Sequence, residues 1–298
     1  MLEGFDAAGA PKLRPAKRPI TLRHLLTHTA GFSYDIWDAD TGRYIKAAGL
    51  PARPPASSAS IRTPLAFDPG DKWEYGVNID WAGRLVEVAQ RPVARRLLPR
   101  QDLRAARHEG QRLRRPRPSS ARARPACTRA RPTARSRPSR WEAAPVANPE
   151  FWSGGGPLYS TARDYLTFLQ MLLNGGSWNG ARLLKSETVA RDEQEPHRQH
   201  PRRHHEDAES GALERRRPLP GAEIRWGLGY MLNMQPGPNG RSAGTVSWGG
   251  IFNTYYWLDP SKRVTGLIMT QILPFADTRA LKLYGQFERG VYEALKAG

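Results

Sequence analysis

Cysteine occurs once in the 298 residues, at Cys127. A single thiol excludes a disulfide framework and a four-cysteine zinc site. No apolar run approaches the ~18–20 residues of a membrane-spanning helix. The first residues, MLEGFDAAGAPKLRPAKRP, lack the apolar stretch of a secretory signal. The chain as given therefore reads as cytoplasmic, with no membrane association. No repeat of ~20–50 residues recurs. Aromatics are missing from two long stretches. None of the 27 Phe, Trp and Tyr lies between Ala82 and Arg140, and none between Asn179 and Arg225. A stretch without aromatics has little to anchor a core.

Lysine is absent from 91–140, yet that window holds 17 arginines against only Asp102 and Glu109. It carries +15 of the formal +18, and the other 248 residues carry +3. The high charge is thus one segment's property. Arg, Pro and Ala alternate there without helical or strand period, which predicts disorder. Residues 191–220 are similar but balanced, with seven Arg, seven acids and four of the seven His. Three patterned blocks remain, 18–90, 141–190 and 222–298, read as one partial domain over 1–298 with 91–140 and 191–220 anomalous within it.

In the first block, Thr21 is placed to cap a short helix carrying Leu22, Leu25 and Leu26. Pro69-Gly70 is a turn. A helix is predicted from Asn78, with Ile79, Ala82, Leu85, Val86 and Ala89 on its inward face. In the second block, Gly154-Gly155-Gly156 reads as a loop. Thr161 and Asp164 resemble a capping box, opening a helix that buries Tyr165, Phe168, Leu169 and Leu172 and stops at Gly175-Gly176. The third block predicts strands over 224–233, 244–248, 252–258 and 264–270, joined by short turns as an antiparallel meander. A closing helix over 277–296 is predicted to bury Ala280, Leu283, Tyr284, Phe287, Val291 and Leu295. Strands beside helices without βαβ alternation indicate α+β.

Four phrases occur in order: Ile20-Thr-Leu-Arg-His-Leu-Leu-Thr-His-Thr-Ala-Gly-Phe32, Phe67-Asp-Pro-Gly-Asp-Lys-Trp-Glu-Tyr75, Gly154-Gly-Gly-Pro-Leu-Tyr-Ser-Thr-Ala-Arg-Asp164, and Ser247-Trp-Gly-Gly250 followed by Asn-Thr-Tyr-Tyr-Trp-Leu-Asp-Pro260. Together they resemble the class C β-lactamase-related serine hydrolases, in particular the carboxylesterase branch. The resemblance implies a β-lactamase/transpeptidase-like α+β fold, with an antiparallel sheet flanked by helices. It also implies acyl transfer through a covalent serine ester. Tyr75 matches the general base of the family's Tyr-x-Asn motif, with Val77 in place of the Asn. Trp248-Gly249-Gly250 stands where true β-lactamases carry Lys-Thr-Gly. The N–H of Ile251 would then be one oxyanion donor. Replacing that Lys by Trp removes a cation suited to a β-lactam carboxylate and favours neutral small-molecule esters. The resemblance calls for no cofactor and no metal.

The family's nucleophile is a Ser-x-x-Lys motif upstream of the Leu-Leu-Thr-His phrase. No serine in these 298 residues is followed three positions later by lysine. The expectation is therefore that the nucleophile precedes Met1 and that this chain is inactive. Ser242, in Gly240-Arg-Ser-Ala-Gly244, fits the Gly-x-Ser-x-Gly elbow of another hydrolase class, but no His follows it in the chain, as that class requires. The alternative for Ser242 is a hairpin turn. His28 could serve as a base, although its phrase reads as a helix-to-loop element. His197, His200, His204 and His205 could suggest a metal cluster, but their segment has no periodic framework to fix geometry.

Two other functions compete. One is a non-catalytic penicillin-binding-like relative. The other is an Arg-rich nucleic-acid-binding protein, which the lack of interleaved aromatics in 91–140 disfavours. A third account of the segment is a shifted reading frame. Leu98–Gly110 can be back-translated so that the frame one base later reads FRDKIFAPLGMK, and Leu213–Gly221 so that the same offset reads LNDVDLFPG. Both readings resemble the family. The oligomeric state is not legible.

Overall fold

Local chemistry sets most element boundaries among residues 1–51, 57–89, 127–129, 137–139, 150–156, 158–193 and 224–297, the parts that the computed structural model describes. They fall into two compact units. Of the described residues, the first holds 1–51, 57–89, 150–156 and 158, and the second holds 127–129, 137–139, 159–193 and 224–297. Among the described residues no helix is long and apolar enough to cross a membrane.

The first unit opens with the antiparallel pair β1 (Leu2–Phe5) and β2 (Pro11–Leu13). As expected, Thr21 caps α1 (Leu22–Leu26): its hydroxyl accepts from the His24 N–H, and His24 Nδ1 accepts from the Thr21 N–H, closing a capping box. Helix α2 (Ala39–Ala47) starts from Asp38 in the same manner, with the carboxylate accepting from Thr41 N–H at 2.6 Å. A 3-10 turn (Ser58–Ile61) and α3 (Asn78–Ala89) complete the unit. Its core holds Leu25, Ala30, Phe32, Ile61, Leu65, Val77, Ala82 and Phe151. The Arg14 guanidinium grips the buried Asp68 carboxylate through two bonds of 3.0 and 2.6 Å, which tie the second strand to the 67–70 turn.

The inward face of α3 departs from its apolar periodicity. Leu85 and Val86 are exposed, whereas Asp80 and Glu87 are buried beside Asn78 and Ala82. The reason is hydrogen bonding from a segment distant in sequence. Glu87 accepts from Trp152 N–H at 2.7 Å, and Asp80 accepts from Gly155 N–H at 3.1 Å. Carboxylates with such donors occupy positions that hydrophobic patterning assigns to solvent.

The second unit centres on a five-stranded antiparallel sheet, β7 (Ile224–Trp226), β8 (Met231–Asn233), β9 (Val246–Gly250), β10 (Thr254–Asp259) and β11 (Val264–Ile268), in the meander order expected. The single strand predicted over 224–233 is two strands. A turn closed by Gly227 N–H to Tyr230 O at 2.8 Å reverses the chain, because the Gly-Leu-Gly sequence there bends where side-chain alternation runs on unbroken. One sheet face packs on α4 (Ala162–Leu173), through Leu169, Leu172, Leu232, Val246, Leu258 and Leu267. Thr161 caps α4 as predicted, accepting from Asp164 N–H at 3.1 Å. The hairpin β5 (Ser177–Trp178) and β6 (Ala181–Arg182) and the helix α5 (Ser186–Glu193) follow α4.

The other sheet face packs on α6 (Thr278–Ala297), through Tyr255, Trp257, Tyr284 and Tyr292. Here too the predicted face is corrected. Leu283, Phe287 and Leu295 are exposed, and the buried stripe is Ala280, Tyr284, Glu288 and Tyr292. Polar atoms draw that stripe inward: the Tyr292 hydroxyl donates to Asp259 at 2.9 Å, and Arg241 bonds both Glu288 and the Tyr284 hydroxyl. Of the anomalous segment 91–140, two short strands are described, β3 (Cys127–Arg129) and β4 (Arg137–Ser139). The first pairs in parallel with β12 (Ile272–Leu273). The remaining expectations for 91–140, and those for 194–220, lie outside the described residues.

Candidate active site

Tyr75 is delivered by two strands of loop that zip together after α1. Gly70 N–H donates to Thr29 O at 2.7 Å, Ala66 N–H to Gly31 O at 2.8 Å and Glu74 N–H to His28 O at 2.8 Å. The last bond sets Tyr75 beside His28, with ring centroids 4.5 Å apart and planes tilted by 39°. The chain then passes directly over the Phe32–Ser33 backbone. A Cβ at Gly76 would stand 2.5 Å from Phe32 O, so only glycine permits the approach. Helix α3 begins two residues later.

His28 is 1% exposed and takes a left-handed backbone conformation, φ 54°. The Asn78 amide nitrogen lies 3.1 Å from its Nδ1. The same amide nitrogen faces the carbonyls of Phe32 and Glu74, both at 3.4 Å, which fixes it as the donor. Nδ1 therefore accepts, and the ring proton sits on Nε2. Burial holds the imidazole neutral by lowering its pKa to about 3. A group so deep and so weakly basic suits packing against Tyr75 and not proton abstraction at neutral pH.

On another side Tyr34 meets Tyr75 edge-on at 5.5 Å. The Tyr34 hydroxyl donates to Asp80 Oδ2 at 3.4 Å, while Asp80 Oδ1 accepts from Ser153 Oγ and from Gly155 N–H. The glycine loop itself presses on α3, since a Cβ at Gly154 would lie 2.3 Å from Ile79 O. Val77, the residue standing at the motif's Asn, is 3% exposed and belongs to the core. The polar side chain falls one position later, at Asn78.

In the second unit, Trp248, Gly249 and Gly250 form the end of β9. Strand β10 pairs with all three: Tyr256 with Trp248, Tyr255 with Gly249 and Thr254 with Gly250. Strand β8 pairs only with Val246 and Ser247. The edge of β9 at 248–250 thus lies outside the β8 ladder, the position from which backbone N–H groups can meet a carbonyl oxygen. Trp248 is half-buried and rests on Trp226 in a T-shaped contact at 4.5 Å. A Cβ on Gly249 would lie 2.6 Å from the Tyr255 ring, whereas one on Gly250 would meet Thr254 at ordinary contact distances, Cβ at 3.8 Å and O at 4.0 Å. Ile251 is 43% exposed, in the turn that leads to β10.

Ser242 lies in the connection between β8 and β9, its N–H bonded to Asp259 Oδ2 at 2.9 Å, and a strand follows it. His197, His200, His204 and His205 lie outside the described residues. Sequence reasoning did not bring His28, Tyr34, Asn78, Asp80 and Ser153 to Tyr75. The available signal was two polar residues, Asn78 and Asp80, in a helical turn that follows the motif tyrosine so closely.

A sequence profile of the family described as Beta-lactamase matches residues 10–289. Monacolin J acid methylbutanoyltransferase of Aspergillus terreus is 30% identical over 307 residues, covering 100% of this chain and 73% of that protein. The structure of a LovD6 mutant of simvastatin synthase (LovD), also from Aspergillus terreus, superposes with a TM-score of 0.81 at 28% identity, covering 100% of this chain and 71% of that one. Lovastatin esterase of Penicillium rubens is 39% identical over 89 residues, 29% of this chain and 22% of that protein.

Proposed function

Because the chain belongs to the beta-lactamase family, we propose that its chemistry is acyl transfer from neutral carboxylic esters, with hydrolysis as the main outcome. Tyr75 is the general base, and the β9 edge at Trp248, Gly249, Gly250 and Ile251 supplies the oxyanion contact. In this scheme the Tyr75 phenolate takes the proton of a serine hydroxyl as its oxygen bonds to the ester carbonyl carbon. The carbonyl electron pair moves onto oxygen, where backbone N–H groups stabilise it. Collapse expels the alcohol, which recovers the proton. Water then releases the acid, and an acceptor alcohol in its place forms a new ester. The substrate is a small molecule with an apolar acyl group, in keeping with the indole that replaces a cation at 248.

One observation carries the reading: Tyr75 is seated in a purpose-built aromatic setting, within a chain that aligns along its whole length with a methylbutanoyltransferase. The 298 residues contain no Ser-x-x-Lys pair, so turnover by them alone is not part of the proposal. The test has two arms, both using p-nitrophenyl butyrate. The purified chain releases no p-nitrophenol above buffer. The same chain fused to a Ser-x-x-Lys segment of a family member does release it, and Tyr75→Phe abolishes that release. Release that survives Tyr75→Phe overturns the base assignment. Release by the unfused chain that is lost in Ser242→Ala overturns the assignment of the nucleophile.

A further inference from the structure

We propose that His28 and Tyr34 are positioning residues for Tyr75, a pair of aromatic jaws whose orientation is set from the first turn of α3 by Asn78 and Asp80. The inference rests on the reading of Tyr75 as the base and names what aims its phenol.

Three observations support it. First, both jaws are rings in direct contact with the Tyr75 ring, His28 at 4.5 Å and Tyr34 at 5.5 Å, and each is tethered by a heteroatom: Nδ1 of His28 to the Asn78 amide, and the hydroxyl of Tyr34 to Asp80. Nδ1 lies off the ring axis, so its bond to Asn78 fixes the rotation of the His28 imidazole, whereas the Tyr34 hydroxyl lies on the ring axis, so its bond to Asp80 fixes where the far end of that ring stands. Second, the tethers leave one helix turn two residues apart. That spacing turns side chains about 200° around the axis, so the pair can reach two different neighbours. Third, the anchors are polar groups at costly positions. Asn78 is fully buried and Asp80 is 1% exposed. A leucine at either place would fill space without desolvating an amide or a carboxylate. The residues present are those that can direct a hydrogen bond.

Asp80 extends the device to a third element. Its Oδ1 accepts from Ser153 Oγ and Gly155 N–H. The Gly154–Gly156 loop and the Tyr34 jaw therefore share one carboxylate, and a displacement of the loop reaches the Tyr75 ring through Tyr34.

The experiment reads Tyr75 directly and needs no turnover. The purified chain is labelled with 13Cζ-tyrosine, and the Tyr75 line is assigned by its disappearance in Tyr75→Phe. In the wild-type chain a single dispersed Tyr75 line is expected. His28→Ala, Asn78→Ala and Tyr34→Phe each move that line and shift its titration midpoint by about half a pH unit or more. Leu25→Ala opens a cavity in the same core and leaves the line in place, separating positioning from general loosening. Tyr34→Phe deletes one oxygen and keeps the ring, so it serves where His28→Ala does not fold.

An unmoved line and midpoint in the folded variants overturn the proposal. So does a wild-type spectrum with no dispersed Tyr75 line, or a Tyr34→Phe chain that loses its fold altogether. The base reading fails separately, through esterase turnover in the fused chain that survives Tyr75→Phe, and that result leaves the spectra unaffected.

Discussion

Arg241 and Glu288 meet as an ion pair in the second unit, with side chains 1% and 2% exposed. The Tyr284 hydroxyl bonds the same guanidinium, and Asn239 Nδ2 donates to the same carboxylate at 3.0 Å. The turn between β8 and β9 is thereby joined to the middle of α6. Removing one partner strands a buried charge. Glu288→Ala or Arg241→Ala is expected to cost about 3–5 kcal/mol, read as a fall in the urea midpoint. Replacing both partners by Leu and Met is expected to be near neutral, because it removes the desolvation together with the attraction. A double variant as unstable as the singles contradicts this account.

His28 makes stability depend on pH. Its folded pKa, about 3, lies below its ordinary 6.5 because the ring is buried. The unfolded state therefore binds the proton first. The contribution is fully present above pH 6.5 and is lost as pH falls toward 3. The slope within that window is about 1.4 kcal/mol per pH unit. Denaturant titrations across it are expected to show a shallower acid limb for His28→Leu than for wild type. His24, whose pKa is also lowered, chiefly by burial, remains in both proteins and cancels in the difference. Parallel limbs would mean that the imidazole is not neutral in the folded chain.

Neighbouring glycines on β9 are expected to behave differently. Gly249→Ala drives a methyl to 2.6 Å from the Tyr255 ring, which is itself 1% exposed and stacked on Tyr284. Overpacking of this kind typically costs about 1–3 kcal/mol. Gly250→Ala meets only ordinary contacts with Thr254, at 3.8 and 4.0 Å, and is expected to leave the thermal midpoint within experimental error. Equal losses in a melting experiment would show that backbone freedom, not space, governs both sites.

The arginine-rich segment makes a prediction about DNA. The coding sequence is expected to hold an open frame one base later that reads as an amphipathic helix followed by Pro-Leu-Gly-Met across Leu98–Gly110, and, in the second anomalous segment, an open frame at the same offset across Leu213–Gly221. The nucleotide sequence decides this at once, since stop codons in that frame through either stretch exclude it.

Much of the architecture was legible because its cues are local. Thr21 and Thr161 announce their helices within three residues, and the meander follows from strand-length alternation broken by turn dipeptides. The four phrases carried the family. What escaped was written in pairs far apart in sequence. Nothing near Glu288 signals that Arg241, 47 residues earlier, will bury it, so α6 was read with its aliphatic stripe inward. Asp80 likewise points into the protein because Gly155 supplies an N–H from 75 residues away. Tyr75 stands out as a candidate by its motif. Its neighbour His28 stood out as a possible base or a helix-to-loop element but not as a partner of Tyr75, because ring contact across 47 positions leaves no periodic trace.

The unequal pairing of β9, held by β10 to its end and by β8 only at its start, has a consequence for how such a site is discovered. On the proposed role its working groups are peptide N–H donors, which every residue except proline possesses. A side-chain scan passes over such a feature in silence. The residue at 251 is then free to drift through evolution while the chemistry is retained, and proline is the one genetically encoded substitution that would expose it.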